Sequence, residues 1–120
     1  MNIKSILIIH TQPAFNDLQG KEALDLSLIL GSYEQDVSVV FYQQGVFQTL
    51  AHQDPESFSQ KDYTSTIKAL DIYDIEKVYV HTNSLVKYGL ENNERLSNVL
   101  PIEHTDFLAL KKNVDHVFVI

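Results

Sequence analysis

Apolar runs alternating with segments of helical period organise this chain. Residues 3–10 (IKSILIIH) form a nearly continuous apolar run rich in isoleucine. Such a run suits a strand covered on both faces, because a half-exposed strand would alternate. Residues 37–42 (VSVVFY) and 78–81 (VYVH) read the same way, and these three are predicted as the central strands. Residues 116–120 (HVFVI) supply a further strand. Residues 96–102 are a weaker candidate, since Pro101 lacks a ladder donor.

Between the runs, residues 21–30 place Ala23, Leu24, Leu28 and Ile29 on one helical face, widened by Leu26 and Leu30 and followed by Gly31. Residues 61–70 turn Tyr63, Ile67 and Leu70 inward. Residues 46–51 make a short apolar turn, and residues 83–88 a brief helix closed by Gly89. A last helix is expected from a Thr105 cap to Asn113. Leu108 and Leu110 are expected to be buried there, with Lys111 and Lys112 at the negative end. Alternating strands and helices with apolar strands predict an α/β fold. One domain over residues 1–120, with a parallel sheet of about five strands, is the expectation.

Composition narrows the function. Among 120 residues, 9 are Lys or Arg and 16 are Asp or Glu, for a net charge of −7. That balance argues against a protein that grips nucleic-acid phosphates by itself. Cysteine is absent. A disulfide framework, a thiolate-held metal and a thiol nucleophile or persulfide carrier are therefore excluded. No apolar run approaches the ~20 residues of a membrane span, and no signal peptide is evident, so a cytoplasmic location is expected.

In open parallel sheets, sites form at the carboxyl ends of strands. Those ends carry His10-Thr11, Gln43-Gln44-Gly45 and His81-Thr82-Asn83. His10 and His81 could approach one crevice as an acid/base pair or metal site. Neither belongs to an H-x₃₋₅-H or H-E-x-x-H pattern. The plainer reading makes them loop polar residues with one hydrogen bond each. The first loop holds only Gly20 and has no phosphate-binding glycine motif, so no cofactor is expected. Asp71, Asp74 and Glu76 read as a solvated turn. Twelve Phe and Tyr residues are many for one small core. Phe47, Tyr63, Tyr73 and Tyr88 lie outside the predicted strands and are candidate interface residues. Self-association of the chain expressed alone is expected.

Several strings carry a resemblance. They are Gly20-Lys21-Glu22-Ala23-Leu24-Asp25, Phe41 followed by Gly45-Val46-Phe47-Gln48, and Asp62-Tyr63 leading to Tyr73-Asp74-Ile75-Glu76. Ser84-Leu85 before Gly89-Leu90 and Asp115-His116-Val117-Phe118-Val119-Ile120 complete the set. In this order they resemble the TusC/DsrF branch of the DsrE/DsrF/DsrH family, from about Lys4 to Ile120. The resemblance implies a three-layer α/β/α sandwich and a non-catalytic subunit of a sulfur-relay complex. It implies TusB-like and TusD-like paralogous partners in a dimer of heterotrimers. That complex hands persulfide sulfur from a TusA-like to a TusE-like carrier, toward 2-thiolation of the tRNA wobble uridine. The sulfur-carrying cysteine belongs to the TusD-like paralogue. Its region corresponds here to Val80, His81, Thr82 and Asn83, none of which can carry a persulfide. The Pro13-Ala14-Phe15-Asn16 loop departs from the family's turn. The alternatives are a DsrF-type subunit of dissimilatory sulfur oxidation, a small α/β enzyme using His10 and His81, and a flavodoxin-like ligand binder.

Overall fold

A computed structural model of the chain describes residues 4–11, 36–49, 75 and 77–120. Five strands run parallel in one sheet: β1 (Ser5–His10), β2 (Asp36–Phe41), β3 (Lys77–His81), β4 (Leu100–Ile102) and β5 (His116–Val119). Their spatial order is β4-β3-β2-β1-β5. The three apolar runs thus occupy the middle of the sheet. A 3₁₀ helix spans Gln43–Thr49, and two α-helices, α1 (Thr82–Lys87) and α2 (His104–Asn113), follow β3 and β4.

The pleat divides the core. Ile6, Ile8, Val37, Val39, Phe41, Val78 and Val80 face one side, where Val46 of the 3₁₀ helix and Leu85 of α1 pack on them. Leu7, Ile9 and Val40 face the other, under Phe107 of α2. Alternate residues of one strand are buried on opposite faces, which is why these runs do not alternate with polar residues. The outcome is the expected layered α/β architecture.

Pro101 sits in β4, which among the described residues pairs only with β3. An edge strand has one unpaired side, so a missing N–H costs least there. β5 closes the other edge and is held at both ends. The Ser5 N–H and hydroxyl donate to the Asp115 carboxylate at 2.8 and 3.1 Å. At the far end the Thr11 N–H and hydroxyl donate to the Ile120 carbonyl at 2.8 and 2.9 Å. The Ser5 backbone and hydroxyl donors hold the Asp115 carboxyl below its ordinary range.

Two details of α2 differ from the expectation. Glu103 is the N-cap, and its side chain makes no capping bond. A single residue, Glu103, separates β4 from the helix, and Thr105 falls within the first turn. Leu108 is exposed, whereas Phe107 is buried. Residues two apart on a helix point about 200° apart, so Leu108 and Leu110 cannot share a face. Phe107 takes the inward position with Leu110 and Val114 beside it. Asp106 in the first turn and Lys111 and Lys112 in the last complement the helix dipole. The helical segments 21–30 and 61–70, Tyr63, Tyr73, the Asp71–Asp74–Glu76 cluster and the Pro13 loop lie outside the described residues.

Candidate functional site

The carboxyl end of β3 holds a connected cluster of polar side chains. His81, the last residue of β3, is buried and serves as the N-cap of α1. Its Nδ1 accepts the Ser84 backbone N–H at 3.2 Å and lies 2.7 Å from the Ser84 hydroxyl. That hydroxyl also accepts the Gln43 N–H at 2.9 Å. On its other side, His81 Nε2 lies 2.9 Å from Nδ1 of His104 in α2.

The backbone donor settles the protons. An Nδ1 that accepts an amide N–H carries no hydrogen, so neutral His81 holds its proton on Nε2. Nε2 then donates to His104 Nδ1, which leaves the His104 proton on its own Nε2. Ser84, His81 and His104 therefore form one directed chain of hydrogen bonds. Burial pushes the His81 imidazole below its ordinary pKa, reinforced by the repulsion that a protonated His104 would exert and opposed by Glu103. His81 is neutral at pH 7.

Rings pack around this chain. Tyr42 lies 4.8 Å from His81 and stacks at 5.1 Å on Phe107, centroid to centroid. A cleft of about 220 Å³ opens here, lined by Tyr42, Gln43, His81, Asn83, Ser84, Lys87 and His104. Gln43 reaches it from a left-handed backbone, with φ of 53°. Non-glycine residues adopt that region rarely, and such strain concentrates at functional sites. Its side-chain carbonyl accepts from Lys87 at 3.1 Å.

The structure separates the two histidines picked out from the sequence. His10 does not line this cleft. It is no loop residue either, but ends β1 wholly buried, its ring 4.9 Å from Phe41. Neither ring nitrogen finds a hydrogen-bond partner among the described residues. Burial lowers its pKa from 6.5 to about 3. His81, by contrast, makes contacts through both nitrogens. Its true companions are Ser84 and His104. Histidine is not among the usual N-cap residues, so no standard cap motif marks Ser84 in the sequence. Nothing local marks His104, which lies 23 residues away in sequence. Val80 is fully buried in the core, so of the Val80–His81 pair only His81 reaches the cleft. Phe47 and Tyr88 are partly buried, 5.4 Å apart, and packed on the larger core cluster. No group of three or more metal-ligating side chains occurs among the described residues. No helix among them is long and apolar enough to cross a membrane.

A parallel five-stranded α/β fold with a polar cleft at the strand carboxyl ends is the class defined so far. The profile of the DsrE/DsrF-like family matches residues 4–120, and the chain belongs to that family. Within it, the chain is 32% identical over 101 residues to a protein TusC homolog of Aliivibrio fischeri, covering 84% of this chain and 86% of that one. It is 41% identical over 71 residues to a protein TusC homolog of Vibrio parahaemolyticus, covering 59% and 60%. The crystal structure of the ychN protein from E. coli shares the fold at a TM-score of 0.82. It is 15% identical, and the match covers 99% of this chain and 100% of that one.

Proposed function

We propose that this chain is a TusC-like, non-catalytic subunit of a sulfur-relay complex. With TusB-like and TusD-like paralogues it supports transfer of persulfide sulfur toward 2-thiolation of the tRNA wobble uridine. The observation that carries this reading is the likeness to a TusC homolog over most of both chains. The absence of cysteine agrees with it, because sulfur transfer of this type runs through a thiolate. The chain's part is then assembly and presentation, with sulfur carried by a partner.

Deletion of the gene in its source organism, with tRNA nucleosides quantified by mass spectrometry, tests the proposal. Loss of wobble 2-thiouridine, restored by the plasmid-borne chain, is expected. Unchanged 2-thiouridine together with failed sulfur oxidation would assign a DsrF-type role instead. The purified chain, treated with a persulfide donor, is expected to gain no ~32 Da adduct.

Phe47, Tyr63, Tyr73 and Tyr88 remain the proposed partner contacts. Phe47 and Tyr88 support this by their partial exposure next to each other. Phe47→Ala is expected to weaken assembly by ~2 kcal/mol, as interface aromatics do when truncated. Because Phe47 also packs on the core, its melting temperature is to be measured beside sedimentation of the complex. Wild-type assembly by this variant would remove Phe47 from the interface.

A further inference from the structure

The hydrogen-bond chain at the end of β3 fixes which groups remain uncommitted on the cleft. The ring-nitrogen acceptors are taken, and the Gln43 carbonyl already has a partner. His81 Nδ1 receives Ser84, His104 Nδ1 receives His81, and the Gln43 carbonyl receives Lys87. The Asn83 carbonyl lies 3.5 Å from the Thr82 hydroxyl, whose one hydrogen has a nearer acceptor in Glu103. Most of the hydrogen-bonding capacity left on these groups is that of donors. Lys87 uses one ammonium hydrogen on Gln43 and keeps two. The His104 Nε2–H and the Asn83 amide N–H group make no hydrogen bond to the described residues. Among the described residues, a lysine and no carboxylate line the cleft, although the whole chain carries −7. Glu103, the neighbouring acid, accepts from the Thr82 hydroxyl at 3.2 Å and stands outside the lining.

A donor-rich wall carrying one positive charge favours an anion. The volume of about 220 Å³ falls below the 300–1,000 Å³ usual for larger organic ligands. Tyr42, stacked on Phe107 beside His81, adds aromatic surface, and the positive edge of an aromatic ring suits a polarisable sulfur anion. We propose that this cleft binds a small sulfur-bearing anion, held by Lys87, the His104 Nε2–H and the Asn83 amide. The binding is non-covalent. A free anion such as thiosulfate and the terminal sulfur of a cysteine persulfide on a partner share this chemistry. The second source rests on the relay reading above.

The test is a titration of the isotope-labelled full chain with sodium thiosulfate at pH 7.5 and constant ionic strength. The imidazole C–H resonances of His81 and His104 are followed, with His116 as the distant reference. Saturable shifts at His81 and His104, with His116 unmoved, are expected. Lys87 is an exposed helix residue, so Lys87→Gln keeps the fold, and it is expected to weaken binding about tenfold. Shifts that never saturate, or that track His116, overturn the proposal. So does equal affinity of Lys87→Gln. Sulfate binding as tight as thiosulfate overturns the sulfur preference.

A second arm measures binding of a persulfide-loaded TusD-like subunit to the wild type and to Lys87→Gln. Weaker binding of the loaded form to the variant, with the unloaded form unaffected, supports the partner source. No difference removes that source and assigns the cleft to free anions. Thiosulfate failing to bind while the subunits still assemble overturns the cleft proposal and leaves the relay reading standing.

Discussion

Gly45→Ala is expected to cost about 3 kcal/mol or more, or to abolish soluble expression. A Cβ on residue 45 would overlap the carbonyl oxygen of His10 and stand 2.7 Å from its carbonyl carbon. Both are backbone atoms of β1, a strand in the middle of the sheet, so no side chain can swing aside. That same carbonyl accepts the Tyr42 N–H at 2.9 Å, and the Gly45 N–H donates to the Tyr42 carbonyl at 2.9 Å. Relief requires the 3₁₀ helix to lift off the sheet. Lifting it withdraws Val46, which is fully buried in the larger core cluster, and breaks these bonds. Overpacking of 1–3 kcal/mol and a disturbed hydrogen bond of about 1 kcal/mol then combine. Gly89→Ala serves as the comparison. Gly89 has a φ of +69° and open space around it, so its substitution costs only backbone strain, about 1 kcal/mol. Urea unfolding of both variants checks the contrast. A Gly45→Ala midpoint equal to that of Gly89→Ala would show that the 3₁₀ helix yields freely.

Acid is expected to destabilise the protein already above the pH at which carboxylates titrate, and His10 is expected to carry most of that early loss. The folded imidazole has a pKa of about 3 against 6.5 for the free side chain. Burial favours the neutral form, so the unfolded chain takes a proton that the folded chain refuses. Stability is therefore full above pH 6.5 and falls as the pH drops toward 3. The slope approaches 1.4 kcal/mol per pH unit, which amounts to about 2 kcal/mol at pH 5. Total stabilities of 5–15 kcal/mol make that a large fraction. His81, whose pKa is also lowered by burial, adds to the loss with the same sign. Asp115 contributes only at lower pH, because its carboxyl is depressed below 3.8. His10→Leu removes the titrating group and two buried nitrogens without hydrogen-bond partners among the described residues. It is expected to flatten the stability curve between pH 6.5 and 4.5 without loss at pH 8. Chemical denaturation across that range decides the matter, and parallel curves for wild type and His10→Leu would refute it.

The relation between sequence and site is uneven, and His10 and His81 show why. Both close apolar strands, and composition treats them alike. One ends β1 in the middle of the sheet and is sealed beside Phe41 and Gly45. The other ends β3 and meets α2 across the β4 connection. Which strands are neighbours decides which histidine faces a cleft, and neighbour order is a non-local property. The family strings, spread from Gly20 to Ile120, were legible because each is local.

Local chemistry in the sequence determined the strands, the closing glycine of α1, the charge arrangement of α2 and the exclusion of a cysteine-borne sulfur. Each follows from burial on both faces, backbone freedom, the helix dipole or an absent atom type, and none needs a distant partner. Tertiary structure alone decided the order β4-β3-β2-β1-β5, the choice of Phe107 over Leu108 as the buried residue, and the meeting of Ser84, His81 and His104. Those outcomes depend on which surfaces are pressed together when the chain closes on itself. Residue order records that packing only through contacts between positions far apart, so it emerges once the sheet is assembled.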